Sequence, residues 1–314
     1  MKDRAVPIRS SSRSIGETAE PKKRRESGLR VLFRNPLVFM GSFFLALTAL
    51  AALAAPWIAP FPPHFMDINA RLTPPGAGHW LGTDHLGRDV LSRMIYGART
   101  TLGVSAAVVG LAAWVGIPLG LISGYFRRAD EVIMRLTDLF MAFPPLIGGL
   151  AIMAFLGSGV GNVILALFLV AVPRVARIAR GETLVLREAT FVKAALAMRA
   201  GLGRIIFRHI LPNALSPLIV YLTLLFAGTI MAEAGLSFLG IGAPADVPSW
   251  GIVLSEGRLY MRNAWWLTVI PGAAIFLAVL SLNLLGDGIR DVGDPRQYGR
   301  AKRPGRLPAR NRKG

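Results

Sequence analysis

The sequence predicts an all-α integral membrane protein with six transmembrane helices. Three observations carry this: an excess of apolar residues, their gathering into six long blocks, and a lopsided division of basic charge between the connecting segments. Of 314 residues, 53% are hydrophobic and only 17% are charged, whereas soluble domains carry about 45–50% and about 25%. The mean hydropathy is +0.49. The apolar blocks cover 37–59, 101–124, 132–156, 161–179, 213–240 and 266–286, each close to or above the roughly 20 residues a helix needs to cross hydrocarbon. Set alternately with the N-terminus inside, they leave 30 of the 36 Lys and Arg residues in inner loops and tails. The outer segments hold 6: Arg71, Arg88, Arg93, Arg99, Arg258 and Arg262. That asymmetry is the positive-inside pattern, and it sets both termini in the cytoplasm.

The elements follow in chain order. Residues 1–36 form a basic cytoplasmic tail rich in Ser, Arg, Lys and Glu, expected to lie solvated near anionic headgroups. The first helix, 37–59, has Ala52-Leu53-Ala54 as a mimic of a signal-peptide cleavage site. Its apolar run exceeds the 7–15 residues of such a peptide, so the helix is expected to be retained. The outer segment 60–100 is rich in proline (Pro60, Pro62, Pro63, Pro74, Pro75) and favours extended backbone. Near its end Thr83 or Asp84 is placed to cap a short helix, with Gly82 and Gly87 allowing tight turns. His79 and His85 stand six apart with no geometry behind them and are read as polar loop residues, so no metal site is assigned.

The third span, 132–156, contains Asp138, which can pair with Arg135 three residues earlier. Residues 157–161 are Gly-rich and form an outer turn before the fourth span, 161–179, whose last turns hold Arg174 and Arg177. Glu233 lies two-thirds of the way through the fifth span, within Ala232-Glu233-Ala234-Gly235-Leu236-Ser237. A carboxylate at that depth faces protein or water. Glu233, Asp138 and Ser237 are therefore candidates either for a solute path or for helix–helix links. In the outer segment before the sixth span, Trp265 and Trp266 are expected to sit at the headgroup level. Trp250, beside Pro248 and Gly251, is placed to touch an outer partner. A basic tail, 291–314, closes the chain.

Between the fourth and fifth spans the chain carries a helix-forming stretch of small residues, Ala194, Ala195, Leu196, Ala197 and Met198. Gly201 and Gly203 are expected to break it, Ile205, Ile206 and Phe207 to form an apolar patch, and Pro212 to start the next helix. Such a knob either presses against an aqueous partner or lies on lipid as an interfacial helix. The net charge of +18 is read as topology, and no nucleic-acid-binding module is present. With no cysteine there is no disulfide or thiolate metal site. No Walker A stretch, dinucleotide fingerprint or H-E-x-x-H occurs, and the four histidines are scattered. No catalytic residue and no cofactor are assigned to the chain.

Ala194-Ala195 followed by Ile210-x-Pro212 resembles the EAA loop of permease subunits of ATP-binding-cassette importers. Further motifs are similar to the "C" subunit of dipeptide/oligopeptide-type permeases. They are Leu81-Gly82-Thr83-Asp84-x-x-Gly87-Arg88-Asp89, Arg208-His209-Ile210-Leu211-Pro212-Asn213, Ala232-Glu233-Ala234-x-Leu236-Ser237-Phe238-Leu239-Gly240, Pro248-Ser249-Trp250-Gly251 and Asn283-Leu284-Leu285-Gly286-Asp287-Gly288-Ile289-Arg290-Asp291. The resemblance runs from about residue 35 to 296. It implies the six-helix type I importer (MetI-like) fold in a bacterial inner membrane, with a five-helix core at 101–290. It further implies a heterodimer with a second permease, two cytoplasmic ATPases holding ATP and Mg, and an extracytoplasmic binding protein. The solutes implied are di- and oligopeptides, or similar cargo such as glutathione or metal chelates, moved inward by alternating access. An ion-gradient-driven secondary transporter is the alternative, though neither internal repeats nor a chain of intramembrane charges is present.

The resemblance makes 181–212 the coupling loop, with Glu188, Lys193, Ala194, Ala195, Arg199, Gly201, Gly203, Arg204, Arg208, Ile210 and Pro212 facing or shaping the ATPase contact. This chain departs from the family pattern there: Lys193 stands where Glu is usual, Arg199 where Gly is usual, and Thr190 where an acid is common. Five cations against Glu188 give the stretch 187–212 a charge of +4. Because a non-Gly residue in a left-handed turn costs roughly 1–2 kcal/mol, Arg199 is expected to stay helical, with the turn moving to Gly201 or Gly203. An acidic ATPase groove is the expected complement.

Overall fold

In the computed structural model residues 36–293 are described, so the expectations for the two tails lie outside the described residues. Those residues are helical or in turns, and their one β feature is an isolated bridge between Thr83 and Asp89. The helices are α1 (Pro36–Leu53), α2 (Ala55–Ile58), α3 (Val90–Tyr125), α4 (Arg127–Met141), α5 (Pro145–Leu156), α6 (Val160–Arg187), α7 (Thr190–Ala197), α8 (Leu211–Phe238), α9 (Trp250–Gly257) and α10 (Trp266–Gly293). Among the described residues five helices are long and apolar enough to cross a membrane: α1, α3, α6, the run Leu202–Phe238 that ends in α8, and most of α10.

The third span departs from expectation. Instead of one helix over 132–156, α4 and α5 meet at an 86° bend and give a sixth crossing only if taken together. The cause is Pro144 followed by Pro145: each proline drives the residue before it out of helical backbone, and Pro144 sits at φ −54°, ψ 139°. α4 also carries Arg127, Arg128, Asp130, Glu131 and Arg135, which makes it amphipathic rather than uniformly apolar. The Gly-rich stretch is the expected turn, with Gly157 at φ +76° closing α5.

α3 begins at Val90, well before the expected residue 101, and its 36 residues extend about 54 Å at 1.5 Å per residue. Its cap is Asp89, whose carboxylate accepts from Ser92 N at 2.8 Å, in place of the expected Thr83 or Asp84. Asp84 instead accepts from the backbone N–H of Leu86 (2.8 Å) and Arg88 (3.0 Å), and Thr83 Oγ1 accepts from Thr73 N at 2.8 Å. The turns at Gly82 and Gly87 are as expected, at φ +77° and +76°.

The centre of the bundle is the α3–α6 pair. Gly116, Gly120 and Gly124 make a stripe on α3, one turn apart, against Val175, Ala179 and Thr183 of α6. A Cβ at Gly116 would stand 2.8 Å from Val175 Cβ, and one at Gly124 would stand 2.6 Å from Thr183 Cβ. Small residues at this spacing let two membrane helices approach until backbone touches backbone. α1 packs on α10 in the same manner, Gly41 against Ser281 and Gly288 against Val38. The remaining faces of α1, including Phe39, Met40, Phe43, Leu47 and Leu50, are exposed, as a lipid-facing helix requires.

Candidate functional site

At one end of the bundle α6 runs on to Arg187, whose Nη1 donates to the Gly124 carbonyl at 3.0 Å and ties the loop to α3. Ala189 is extended, and α7 then makes two turns. Val192 and Ala195 are buried. Val192 packs with Leu121, Ile205 and Ile210 in a small apolar cluster beneath the knob. The rest of α7 is exposed and carries apolar Phe191, Ala194 and Leu196, followed by the capping Met198 at 79% accessible. The two alanines of the motif therefore point different ways, Ala195 into the chain and Ala194 outward.

The exit from α7 corrects the expectation for Arg199. That residue adopts φ +56°, with Arg199 N bonded to Leu196 O (2.9 Å) and Ala200 N to Ala195 O (3.0 Å). This pair of bonds is the Schellman closure of a helix, which demands a left-handed residue at the first position past the cap. Satisfying two terminal carbonyls and aiming the chain back at the membrane outweigh the left-handed strain. Gly201 is plainly extended at φ −65°, ψ 150°. Gly203 does not break the helix either: it lies inside the turn Leu202–Arg204, which leads into a π turn at Ile205–Ile210 and on into α8. Pro212 stands at the first turn of α8 as expected. Proline lacks an N–H and its ring crowds the carbonyl four residues back, and a wider π turn with Leu211 N bonded to Ile206 O accommodates both. Ile205 is buried, while Phe207 is exposed, so the expected apolar patch is split between core and surface.

Of the loop charges, Lys193 is spoken for within the chain: its Nζ lies 3.1 Å from Glu188, which also meets Arg187 at 3.5 Å. The Lys193 ammonium, with Arg187 beyond it, holds the Glu188 carboxyl below its usual value. Arg199, Arg204 and Arg208 are exposed. The knob thus offers an apolar face rimmed by cations.

The other end of the bundle holds a cluster not assigned from sequence. Asp84 is fully buried; Arg88 Nε and Arg93 Nη1 each lie 2.6 Å from its Oδ2. Both arginines also reach Glu256 of α9, Arg88 Nη2 at 2.9 Å and Arg93 through Nη1 and Nη2. Burial pushes the Asp84 carboxyl up, but Arg93, the Arg88 backbone N–H and the Arg88 charge outweigh it, and the net shift is downward. The alternation Asp84, Arg88, Asp89, Arg93 beside an apolar block was the available signal. Asp84, His85 and Glu256 bring ligand atoms within 4.8 Å of one another, yet the two guanidiniums already occupy the carboxylate oxygens, an arrangement that repels a metal cation. His79 bonds Asp89 at 2.9 Å, and His85 stacks on Tyr260.

Three further residues differ from expectation. Asp138 pairs with Arg177 of α6, not with Arg135. Trp250 is buried rather than turned outward, with Nε1 donating to Met94 O at 3.0 Å. Trp266 is buried too, its Nε1 on Thr83 O at 3.1 Å, which leaves Trp265 as the exposed indole. Glu233 is 1% exposed and accepts from Thr101 Oγ1 of α3 (3.2 Å) and Ser237 Oγ (2.9 Å). It joins α3 to α8 in the packed interior.

Residues 116–298 match the family described as the binding-protein-dependent transport system inner membrane component. The match covers more than half of the chain. The chain belongs to this family. Residues 26–75 also match the N-terminal transmembrane domain of oligopeptide transport permease C. The permease is 45% identical to a putative peptide transport system permease protein of Brucella abortus, over 85% of this chain and 90% of that one. It is 38% identical to the probable D,D-dipeptide transport system permease protein of Escherichia coli, over 89% and 95%. It is 40% identical to the glutathione transport system permease protein of Pectobacterium atrosepticum, over 87% and 91%. The permease is accordingly a non-catalytic subunit of an ATP-driven importer and not an ion-driven carrier. It is an inner-membrane component of a system that includes ATPase and binding-protein subunits.

Proposed function

We propose that the permease moves di- or oligopeptides, or similar small solutes such as glutathione or metal chelates, into the cell by alternating access, as half of a heterodimer with a second permease. Both termini are cytoplasmic, and 60–100 lies outside. The loop 181–212 seats in a groove of one ATPase: Ala194, Met198 and Phe191 supply apolar contact, Arg199, Arg204 and Arg208 supply charge, and Lys193 borders the contact as an ion pair with Glu188. Gly201 and Pro212 shape the return, Gly203 lies in its first turn, and Ile210 anchors the knob from beneath. ATP-driven closure of the ATPases biases a two-state bundle through this knob, and the solute meets whichever side is open.

The observation that carries the coupling role is the exposed apolar face of α7 on a short helix braced from behind by its own small core. The names of the peptide and glutathione relatives carry the substrate class. Uptake by the reconstituted complex, with its binding protein, should survive an uncoupler and stop on ATP depletion. A peptide panel titrated against the cognate binding protein tests the substrate class, and the absence of any peptide binding would remove it.

A further inference from the structure

α6 carries Arg174, Arg177 and Arg180 at three-residue spacing, close enough to form a ladder along one flank of the helix. The lower two rungs meet acids of α4. Arg180 binds Asp130 through Nε and Nη2, the latter to Oδ2 at 2.7 Å, and Arg177 binds Asp138. Arg174 has no carboxylate within 4.0 Å among the described residues. One turn beyond Asp138, where its counterpart would stand, α4 ends at Met141 and the chain breaks at Pro144-Pro145.

In place of an acid, Arg174 lines a partly open cavity of about 260 Å³ with Phe140, Phe143, Pro144 and Val170. Arg174 stands at the middle of α6, 14 residues past Val160 and 13 before Arg187, in a helix long and apolar enough to cross a membrane. An unpaired guanidinium at that depth is expensive and marks a path more often than a scaffold. Its planar fork matches a carboxylate, and the apolar, aromatic wall strengthens such a charge-assisted bond. The cavity falls below the roughly 300–1,000 Å³ of a whole-ligand site, so it suits one end of a solute.

We propose that Arg174 binds the free carboxylate of the solute in transit, with the break between α4 and α5 making room for it. The proposal rests on the peptide-import reading above. Both peptide arms use the complete complex in neutral phosphatidylcholine vesicles: uptake of dialanine and of dialanine amide, each saturating the binding protein, by wild type and by Arg174→Gln and Arg174→Lys. The binding protein is the same throughout, so its own preference cancels in each wild-type-to-variant ratio.

Arg174→Gln should lower dialanine uptake about 10- to 100-fold, the range of one charge-assisted bond. The amide should change far less, and Arg174→Lys should recover part of the loss. Equal losses for both peptides overturn the proposal. So does failure of Arg174→Gln to co-purify with the second permease, which makes that subunit the partner of Arg174. An effect seen only when anionic lipid is added assigns Arg174 to a headgroup and also overturns it. If wild type imports neither peptide, the import reading itself fails. If it imports both and the variants match it, only the role of Arg174 falls.

Discussion

Replacing Arg93 by Met should destabilise the permease by about 3 kcal/mol, the lower end of the range for breaking one partner out of a buried ion network. Arg93 is 2% exposed and bridges Asp84, at 2.6 Å, and Glu256. Without it two carboxylates share Arg88, and one uncompensated negative charge remains in an enclosed site. The Glu256 side chain keeps 19% exposure and can rehydrate, whereas that of Asp84 at 1% cannot, which is why the lower end applies. Removing the opposite charge as well, in Asp84→Asn with Arg93→Met, should recover most of the loss, because contacting residues are strongly coupled. Thermal unfolding of the purified complex reads both. Asp84 also sets the pH dependence. Its folded value lies below the ordinary 3.8, so its contribution is complete above that pH and is lost only as pH falls through the lower folded value. The gap between wild type and Asp84→Asn should therefore hold from pH 7 to 5 and close only below about pH 4. Arg93→Met melting with wild type, or the double variant melting no higher than the single, would refute this account of the cluster.

Three shorter predictions test other parts of the structure. Gly120→Leu should prevent close α3–α6 packing, since even a Cβ there would stand 2.5 Å from Ala176 O and 2.8 Å from Arg180 N; overpacking costs about 1–3 kcal/mol. Gly103→Leu, on the same helix with nothing within 4 Å, is the control, and equal yields of folded protein from both would contradict the packing argument. Lys193→Glu places like charges where Lys193 and Glu188 now pair at 3.1 Å and should weaken peptide-stimulated ATP hydrolysis; unchanged or higher stimulation sinks the charge argument. Arg199→Gly relieves left-handed strain of roughly 1–2 kcal/mol, offset in part by the greater freedom of glycine in the unfolded chain. Amides of α7 should then exchange more slowly, and faster exchange would show that Arg199 holds the loop by some other means.

Spans were legible where the apolar block and the helix coincide, as in α1 and α10. They were not where a helix outruns its apolar part. The first turns of α3 hold Arg93 and Arg99 and the last turns of α6 hold Arg180 and Arg187, so hydropathy began α3 late and ended α6 early. Hydropathy alone also passed over the break in the third span, although Pro144-Pro145 stated it outright. Gly116, Gly120 and Gly124 were present as a four-residue repeat, but their meaning depends on the partner helix, which a single chain read in order does not reveal. Arg199 shows the limit of propensity: the local preference for helix lost to two backbone hydrogen bonds that only the folded turn supplies. Asp84, Arg88, Arg93 and Glu256 were individually visible. The pairing of the two arginines with a residue more than 160 positions away was not.

The central claim is that the knob around α7 meets an ATPase. A photo-cross-linking residue at Met198, 79% exposed on that knob, tests it directly, with Phe155, 93% exposed at the far end of α5, as the comparison. In the assembled complex Met198 should yield a covalent adduct with an ATPase subunit and Phe155 should yield none. Adducts from Met198 to lipid alone would mean that the knob lies on the membrane, and the coupling account would be wrong.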